Sequence, residues 1–120
     1  MTTNPIQPRR AEVWRVDFNP TIGAEIQKIR PAIVLSSDMA GRLPIKLVAP
    51  ITDWDNRFAG NFWHVRLDPD NINGLVKASA VDTLQVRGMD TQRFLKRLGY
   101  LTAAKMEEIT TTIAIVIEHQ

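Results

Sequence analysis

The sequence of 120 residues contains no cysteine and only two histidines. The missing thiols exclude a disulfide scaffold, a thiolate metal site and a cysteine nucleophile, and they fit a reducing compartment. Long apolar runs are missing too: the run at residues 113–117 is far shorter than the roughly 20 residues that a membrane helix needs. Residues 1–10 contain no apolar segment of the kind that a signal peptide requires. We therefore expect a cytoplasmic protein.

The sequence is also poor in residue groups that bind metals or act as nucleophiles. Asp53 and Asp55 lie two positions apart, and Asp68 and Asp70 flank a proline, so each pair is interpreted as turn-forming rather than metal-binding. His64 is interpreted as a surface or hydrogen-bonded histidine. Neither a nucleophile elbow nor a glycine-rich phosphate loop is recognisable. We expect no metal and no cofactor.

The charge balance is mild, with 15 basic and 13 acidic residues and a formal net charge of +2. This balance permits a nucleic-acid partner, but an ordinary solvated surface explains it as well. The length indicates one domain, and 44% apolar residues can fill a single core. We divide the chain into a flexible N-terminal arm, residues 1–10, and a single domain, residues 11–120.

What the sequence does contain is a series of short strand patterns. Strands are predicted at residues 12–18, 32–36, 45–49, 61–67 and 74–86, the last as two short strands or one bent strand. Alternation in the first of these predicts that Trp14, Val16 and Phe18 face inward.

Helix signals concentrate near the C-terminus. Asp90 is predicted to cap a short helix over residues 92–98 that stops at Gly99. Thr102 is predicted to begin a last helix that reaches about residue 117. The order of elements indicates a mainly β fold with a C-terminal helix (α+β), in the form of a small bent antiparallel barrel or half-barrel.

Two polar residues adjoin predicted strands: Arg30 precedes the second strand and Thr52 follows the third. Because neighbouring strand ends converge in a small barrel, both side chains can face one groove. A guanidinium can clamp two non-bridging oxygens of a phosphodiester while a hydroxyl donates a third hydrogen bond. Glu25 and Lys28 lie on the loop before Arg30. Taken alone, an arginine before a proline and a threonine after a strand are equally typical of structural roles.

At this point the sequence resembles the MazF/PemK family of toxins. The resemblance depends on the pattern PTxGxExxKxRP, which begins at Pro20 and ends at Pro31. Further matching segments are Val13-Trp14, 16–19, 32–35, 49–52, Gly74-Leu75, Ser79, Gln85-Val86, Arg93 and Leu98-Gly99. One departure is Ala11-Glu12, where the family mostly has Gly-Asp.

The resemblance implies an SH3-like small barrel of the MazF/PemK/CcdB type that acts as a homodimer. It implies a metal-independent endoribonuclease that cuts single-stranded RNA (mRNA) at a short sequence, leaving a 2′,3′-cyclic phosphate and a 5′-hydroxyl. It also implies a MazE/PemI-like antitoxin, whose disordered C-terminal segment fills the RNA groove.

The family's catalytic residues map onto Arg30 and Thr52, and Glu25 maps onto a loop acid whose loss impairs the activity of relatives. Phe18 and the loop at residues 54–60 fall where the family meets its substrate. Aromatic and basic side chains suit single-stranded RNA. The candidate substrate-binding residues are therefore Glu25, Phe18, Lys28, Trp54, Arg57 and Arg87.

Two versions of the proton transfers stay open, because a guanidinium normally keeps its proton at neutral pH. In one version Arg30 is desolvated beside Lys28 and transfers protons itself. In the other it stays charged and protonates the leaving oxygen, while Glu25 or water takes the first proton.

Two non-enzymatic functions also stay open, because a fold does not decide function. A barrel toxin can bind a topoisomerase without catalysis, and an SH3-like module can bind peptides. In the first alternative the C-terminal helix would carry the contact and Arg30 and Thr52 would be dispensable. The second predicts aromatic residues in a peptide groove and no RNA cleavage.

Overall fold

A computed structural model describes residues 6–41 and 43–119. It consists of an antiparallel sheet and one C-terminal α-helix. The elements are β1 (Glu12–Asp17), β2 (Ile29–Val34), β3 (Ile45–Asp53), β4 (His64–Leu67), β5 (Ser79–Asp82), β6 (Arg87–Asp90), β7 (Phe94–Tyr100) and α1 (Ala103–Val116). The strand order is β4-β5-β3-β2-β1-β7, with β6 also paired to β3. Between β4 and β7 no pairing closes the sheet within the described residues, so the expected barrel is an open one.

The long strand β3 organises the sheet. Its first half pairs with β6 and its last three residues pair with β5, while β2 lies on its other edge. The sequence predicted that this strand would end before Pro50, but it continues to Asp53. Pro50 is tolerated because it lies where β3 stops pairing with β2 and begins to pair with β5.

The central strands are apolar on both faces, and each face contributes to a separate core cluster. In β2, Ile33 belongs to the cluster that contacts α1, whereas Ala32 and Val34 belong to the opposite cluster. This explains the continuous apolar run, which is typical of a strand buried on both faces. In β1, Val16 and the adjoining Phe18 are inward as predicted, and Trp14 packs beside them. Val13, assigned to the other face, is buried as well because that face carries the helix-facing cluster.

The C-terminal helix agrees with the sequence prediction. Thr102 caps it, because its side chain accepts a hydrogen bond from the backbone N–H of Lys105 at 3.2 Å. Met106 and Ile109 are its buried residues and join the helix-facing cluster. No helix within the described ranges is long and apolar enough to cross a membrane.

The short helix predicted at residues 92–98 is wrong. Asp90 does cap a turn, but that turn is a 3₁₀ segment of only three residues, Thr91–Arg93. The chain then forms β7, which pairs with β1 and buries Phe94. Gly99 does not end a helix; it lies in β7, where the segment around Ile72 crosses so closely that a Cβ would lie 2.2 Å from the Ile72 carbonyl oxygen.

The predicted strand or strands at residues 74–86 are partly wrong. Residues before Ser79 form turns and loops, and only Ser79–Asp82 forms a strand, β5. Asp82 then caps the 3₁₀ turn Thr83–Gln85, since its side chain accepts from the N–H of Leu84 at 3.1 Å. This turn separates β5 from β6 along the same edge of β3.

Part of the predicted N-terminal arm lies outside the described residues, namely positions 1–5. Within the described part, Pro8 is buried. The backbone N–H of Arg10 donates to Asp38 at 2.9 Å, and the Arg10 guanidinium donates to the Leu35 carbonyl.

Candidate functional site

The two predicted catalytic residues lie on neighbouring antiparallel strands. Arg30 is the second residue of β2, and Thr52 is the last but one of β3. The last paired positions of these strands are Ala32 and Pro50. Beyond these positions the two strands have other partners: Arg30 pairs with Val16 of β1, and Thr52 pairs with Ala80 of β5. Because side chains alternate along a strand, Arg30 shares a face with Ala32, and Thr52 shares a face with Pro50.

Both side chains are half-buried at this point. The Nε of Arg30 donates to the carbonyl oxygen of Gln27 at 3.0 Å, which ties the guanidinium to the end of the preceding loop. Thr52 pairs on its other side with Ala80 of β5. Strands β2 and β5 thus both pair with β3, β2 as far as Pro50 and β5 from Ile51 onward.

Beside Pro50 is a cavity of about 290 Å³. It is lined by Phe18, Glu25, Ile26, Pro50, Leu84, Gln85, Val86 and Arg87. Three of the predicted substrate-binding residues, Phe18, Glu25 and Arg87, therefore meet at one place. Arg30 and Thr52 do not line the cavity, but Pro50 connects it to their strand ends.

Arg87 connects the other two predicted residues in the cavity. Its guanidinium carbon lies 5.9 Å from the centre of the Phe18 ring, in the position of a cation–π contact. Its Nη1 lies 4.0 Å from a carboxylate oxygen of Glu25. The ring of Phe18 belongs to the second core cluster and is only 1% exposed, so Arg87 covers one of its faces.

The loop that carries Glu25 is shaped by its own polar groups. The Asn19 side chain accepts from the N–H of Lys28 at 3.0 Å, and Glu25 accepts from the N–H of Ile22 at 2.7 Å. Gly23 and Lys28 both have positive φ, 59° and 73°. A lysine in this conformation is strained, and such strain concentrates at functional sites. Lys28 is exposed, so its ammonium group adds positive charge beside Arg30.

The other two predicted substrate-binding residues, Trp54 and Arg57, lie beyond the end of β3 and do not line this cavity. Arg57 is bound to its neighbour Asp55 by hydrogen bonds of 2.9 and 3.1 Å. These side-chain bonds lower the pKa of the Asp55 carboxyl and raise the pKa of Arg57. Trp54 has the guanidinium carbon of Arg66 4.7 Å from its ring centre and packs edge-on against Phe58.

His64 is satisfied by its neighbours, as the sequence interpretation allowed. Its ring stacks on Phe58 with centres 3.9 Å apart, and its Nδ1 lies 3.2 Å from the Asn61 amide nitrogen. Its Nε2 lies 3.9 Å from a carboxylate oxygen of Asp82. Asp82 in turn accepts a hydrogen bond from the side chain of Gln85.

Sequence reasoning missed Asp82 and Gln85 as site residues. Gln85 lines the cavity and contacts both Asp82 and the Glu25 loop. The resemblance did include Gln85-Val86, but a single glutamine beside a short strand gives no signal of its own. Its contact with Ile26 could not be predicted from a local pattern, because the two residues lie 59 positions apart in the sequence.

One member of each acidic pair forms a turn, as interpreted from the sequence, whereas Asp53 is the last residue of β3 and Asp68 accepts a hydrogen bond from the Arg66 side chain. Asp55 caps the 3₁₀ turn Asn56–Gly60, and Asp70 accepts from the N–H groups of Ile72 and Asn73. Among the described residues, no three His, Cys, Asp or Glu side chains form a group that could hold a metal ion.

Comparison with known proteins identifies the family. Residues 9–117 match the family described as PemK-like, MazF-like toxin of type II toxin–antitoxin system. A curated relative, the endoribonuclease MazF of Staphylococcus saprophyticus, is 32% identical over 108 residues, covering 89% of this chain and 88% of the relative. The endoribonuclease MazF9 of Mycobacterium tuberculosis is 28% identical over 116 residues, with coverages of 92% and 96%.

Solved structures confirm the fold. A crystal structure of MazF from Deinococcus radiodurans superposes with a TM-score of 0.78 at 23% identity, covering 92% of this chain and 96% of that one. A mycobacterial endoribonuclease solved in complex with its cognate antitoxin gives a TM-score of 0.75 at 17% identity, with coverages of 95% and 98%. The match over residues 9–117 settles the resemblance noted from the sequence. The chain belongs to the PemK-like, MazF-like toxin family of type II toxin–antitoxin systems.

Proposed function

We propose that the protein is the toxin of a type II toxin–antitoxin pair and a metal-independent endoribonuclease that cleaves single-stranded RNA. Two relatives that are aligned over most of this chain are named endoribonucleases. The observation that supports the proposal is the position of Arg30 and Thr52, each two residues beyond the last pair of the β2–β3 ladder, Ala32 and Pro50. A guanidinium and a hydroxyl in this arrangement suit the non-bridging oxygens of one phosphodiester.

In the proposed reaction the ribose 2′-oxygen attacks the adjacent phosphorus, and the bond from phosphorus to the 5′-oxygen breaks. A proton leaves the 2′-hydroxyl and another is delivered to the 5′-oxygen, giving a 2′,3′-cyclic phosphate and a 5′-hydroxyl. Arg30 stabilises the charge on the phosphorane and protonates the leaving oxygen, while Thr52 donates to a phosphate oxygen. Glu25 or a water molecule accepts the first proton.

We favour the version with a charged Arg30, because this side chain is only half-buried and a guanidinium keeps its proton in partly solvated surroundings. The exposed ammonium of Lys28 raises the positive potential for a phosphate but does not require Arg30 to lose its proton. Positioning and charge stabilisation then supply most of the rate acceleration.

RNA is proposed to approach along the cavity beside Pro50. Arg87 can exchange the Glu25 carboxylate, 4.0 Å away, for a phosphate, since that ion pair is long and partly exposed. Moving Arg87 would uncover the ring of Phe18 for a base. Trp54 and Arg57 lie outside this cavity and are proposed to contact a more distant part of the RNA strand.

The proposed partners follow from the family. A MazE/PemI-like antitoxin would occupy the RNA groove and block cleavage, and the mycobacterial structure was solved in complex with its cognate antitoxin. We also propose that the protein acts as a homodimer in the cytoplasm, where its RNA substrates are.

The proposal is tested with purified protein, a single-stranded RNA and the matching DNA in excess EDTA. We expect RNA fragments with a 2′,3′-cyclic phosphate and a 5′-hydroxyl, an uncut DNA and no gain from added Mg²⁺. The DNA control is decisive because it lacks the 2′-hydroxyl nucleophile. RNA that stays intact in EDTA and is cut only with Mg²⁺, or not cut at all, would contradict the proposal.

A further inference from the structure

A hydrogen-bonded bridge connects the loop that carries Glu25 to the end of strand β5. The backbone N–H of Ile26 donates to the Oε1 of Gln85 at 2.6 Å. The Nε2 of the same glutamine donates to a carboxylate oxygen of Asp82 at 2.8 Å. Both ends of the Gln85 amide are therefore used, one by the loop and one by β5.

The loop has few other attachments within the described structure. Its remaining hydrogen bonds join residues between 17 and 30, apart from one that Arg93 donates to the Asn19 carbonyl. The Glu25–Arg87 ion pair is long, at 4.0 Å, and half of the Glu25 side chain is exposed. The bond to Gln85 is thus the short polar contact that fixes the middle of the loop, next to Glu25.

The other end of the bridge is rigid. Asp82 is buried in β5, caps the turn Thr83–Gln85 and pairs with His64 across the β4–β5 ladder. The His64 ring is held by its stack on Phe58, 3.9 Å away and only 8° from parallel. A glutamine held by this group cannot follow a loop movement without losing the bond to Ile26.

We propose that Gln85 is a positioning residue for the reaction, which it serves by holding Glu25 and Lys28 against the strand ends that carry Arg30 and Thr52. This inference deepens the proposed ribonuclease function and rests on it. Gln85 acts through the loop backbone. Its removal should therefore change the order of the loop and the rate of cleavage, while the core clusters keep their packing.

The first test is Gln85→Ala, with Gln92→Ala as the matched control because Gln92 is exposed and lies outside the cavity. We expect the Ile26 amide of Gln85→Ala to exchange with solvent about tenfold faster than in the wild type, the effect of one lost hydrogen bond. We expect kcat/KM for RNA to fall about tenfold at a temperature where the protein stays folded, and Gln92→Ala to match the wild type. Unchanged Ile26 exchange and unchanged kcat/KM in Gln85→Ala would overturn the inference.

A second test reverses the polarity of the bridge. Gln85→Glu faces the Asp82 carboxylate with a second carboxylate, so this variant should lose about tenfold in kcat/KM. Adding Asp82→Asn restores a donor, because the new amide can donate to the glutamate while the glutamate still accepts from Ile26. We expect the double variant to recover to within about threefold of the wild type. A folded double variant no better than the single one would refute the assigned bridge.

The two proposals fail in different ways. If the wild-type protein cleaves no RNA, the ribonuclease function is wrong, and Ile26 exchange alone decides whether Gln85 holds the loop. If the wild type cleaves RNA and Gln85→Ala cleaves it equally fast, the function stands and the positioning role is wrong.

Discussion

Arg30 is half-buried, and its Nε donates to the Gln27 carbonyl at 3.0 Å, which ties the guanidinium to the loop. In the proposed reaction the planar fork of this guanidinium contacts two oxygens of the scissile phosphate. Lysine keeps the charge but has one compact ammonium group and no fork. The identity of the side chain, and not only its charge, should therefore decide the rate.

We expect Arg30→Lys to lower kcat by about 10²-fold or more, the usual effect of removing a donor to a transition-state oxyanion. The measurement is cleavage of a fluorescent single-stranded RNA under saturating substrate. Arg97→Lys is the matched control. Arg97 lies on the outer strand β7 and pairs with Glu12 of β1, so this variant should keep full activity. Near-normal cleavage by Arg30→Lys would refute the clamp.

Thr52 is proposed to donate one neutral hydrogen bond that strengthens in the transition state. Thr52→Ala should therefore lower kcat about tenfold while the Kd for a non-cleavable 2′-deoxy substrate analogue changes little. Thr52→Ser keeps the hydroxyl and should retain most activity. Equal kcat values for the alanine and serine variants would remove the hydroxyl from the chemistry.

Ala11 shows how one residue can depart from its family at a structural cost. Its φ is 73°, in the left-handed region that favours glycine, and the family resemblance places glycine there. Its backbone N–H donates to the Val34 carbonyl, and its carbonyl accepts from the N–H of Leu101, so the conformation is fixed by the sheet and by the start of the helix.

We expect Ala11→Gly to raise the free energy of unfolding by about 0.5–1 kcal/mol, because relief of the left-handed strain outweighs the added freedom of the unfolded chain. Urea unfolding measures this change. Ala24→Gly is the control, since Ala24 is exposed and does not have a positive φ. A destabilised Ala11→Gly would show that the methyl group contributes more through packing than it costs in strain.

At the scale of elements, local pattern and long-range contact compete, and β7 shows which one prevails. Residues 92–98 contain good helix formers after a capping aspartate, so local propensity predicts a helix. These residues form the strand β7 instead, because pairing with β1 and burial of Phe94 stabilise the extended conformation more than the helix. Local pattern was sufficient for β1 and for α1, where the apolar periodicity and the cap agree with the packing.

The same distinction applies to the candidate site. Arg30 and the loop acid Glu25 are candidates because one stretch of sequence, residues 20–31, carries a specific pattern, and Thr52 is a candidate because it ends the separate matching segment 49–52. The meeting of Phe18 with Arg87, and the bridge through Gln85, join residues more than 50 positions apart. Periodicity in the sequence indicates which face of one element is buried but does not predict contacts between distant elements, so these contacts are known only from the structure.

Gly99 gives a prediction that depends on how two elements cross. A Cβ at this position would lie 2.2 Å from the Ile72 carbonyl oxygen, which is backbone and has little room to move. Gly99→Ala should therefore lower the free energy of unfolding by about 2–3 kcal/mol. Gly60→Ala is the control, because nothing lies within 4 Å of a Cβ there. Equal stability of the two variants by urea unfolding would contradict the close crossing.

At the scale of the whole molecule, the proposed homodimer requires a surface that a second copy covers. Two parts of the chain are candidates for this surface, the strand end at residues 49–52 and the last helix. Ala49 and Ile51 are buried in the helix-facing core cluster, so the first alternative offers little apolar surface. The C-terminal end of α1 instead leaves Ile115 57% exposed and the adjoining Ile117 68% exposed.

We therefore expect the proposed homodimer to use the C-terminal end of α1. A standard interface of about 800 Å² per partner would cover about a tenth of the 7656 Å² surface of the chain. Replacing both Ile115 and Ile117 by lysine puts like charges in contact across a symmetric interface, so sedimentation equilibrium should find a dimer for the wild type and a monomer for this variant. Val76→Lys, at a loop position 87% exposed, should remain dimeric. If the variant with lysine at both Ile115 and Ile117 stays dimeric, the interface lies on another face of the molecule. A monomeric wild type would contradict the dimer itself.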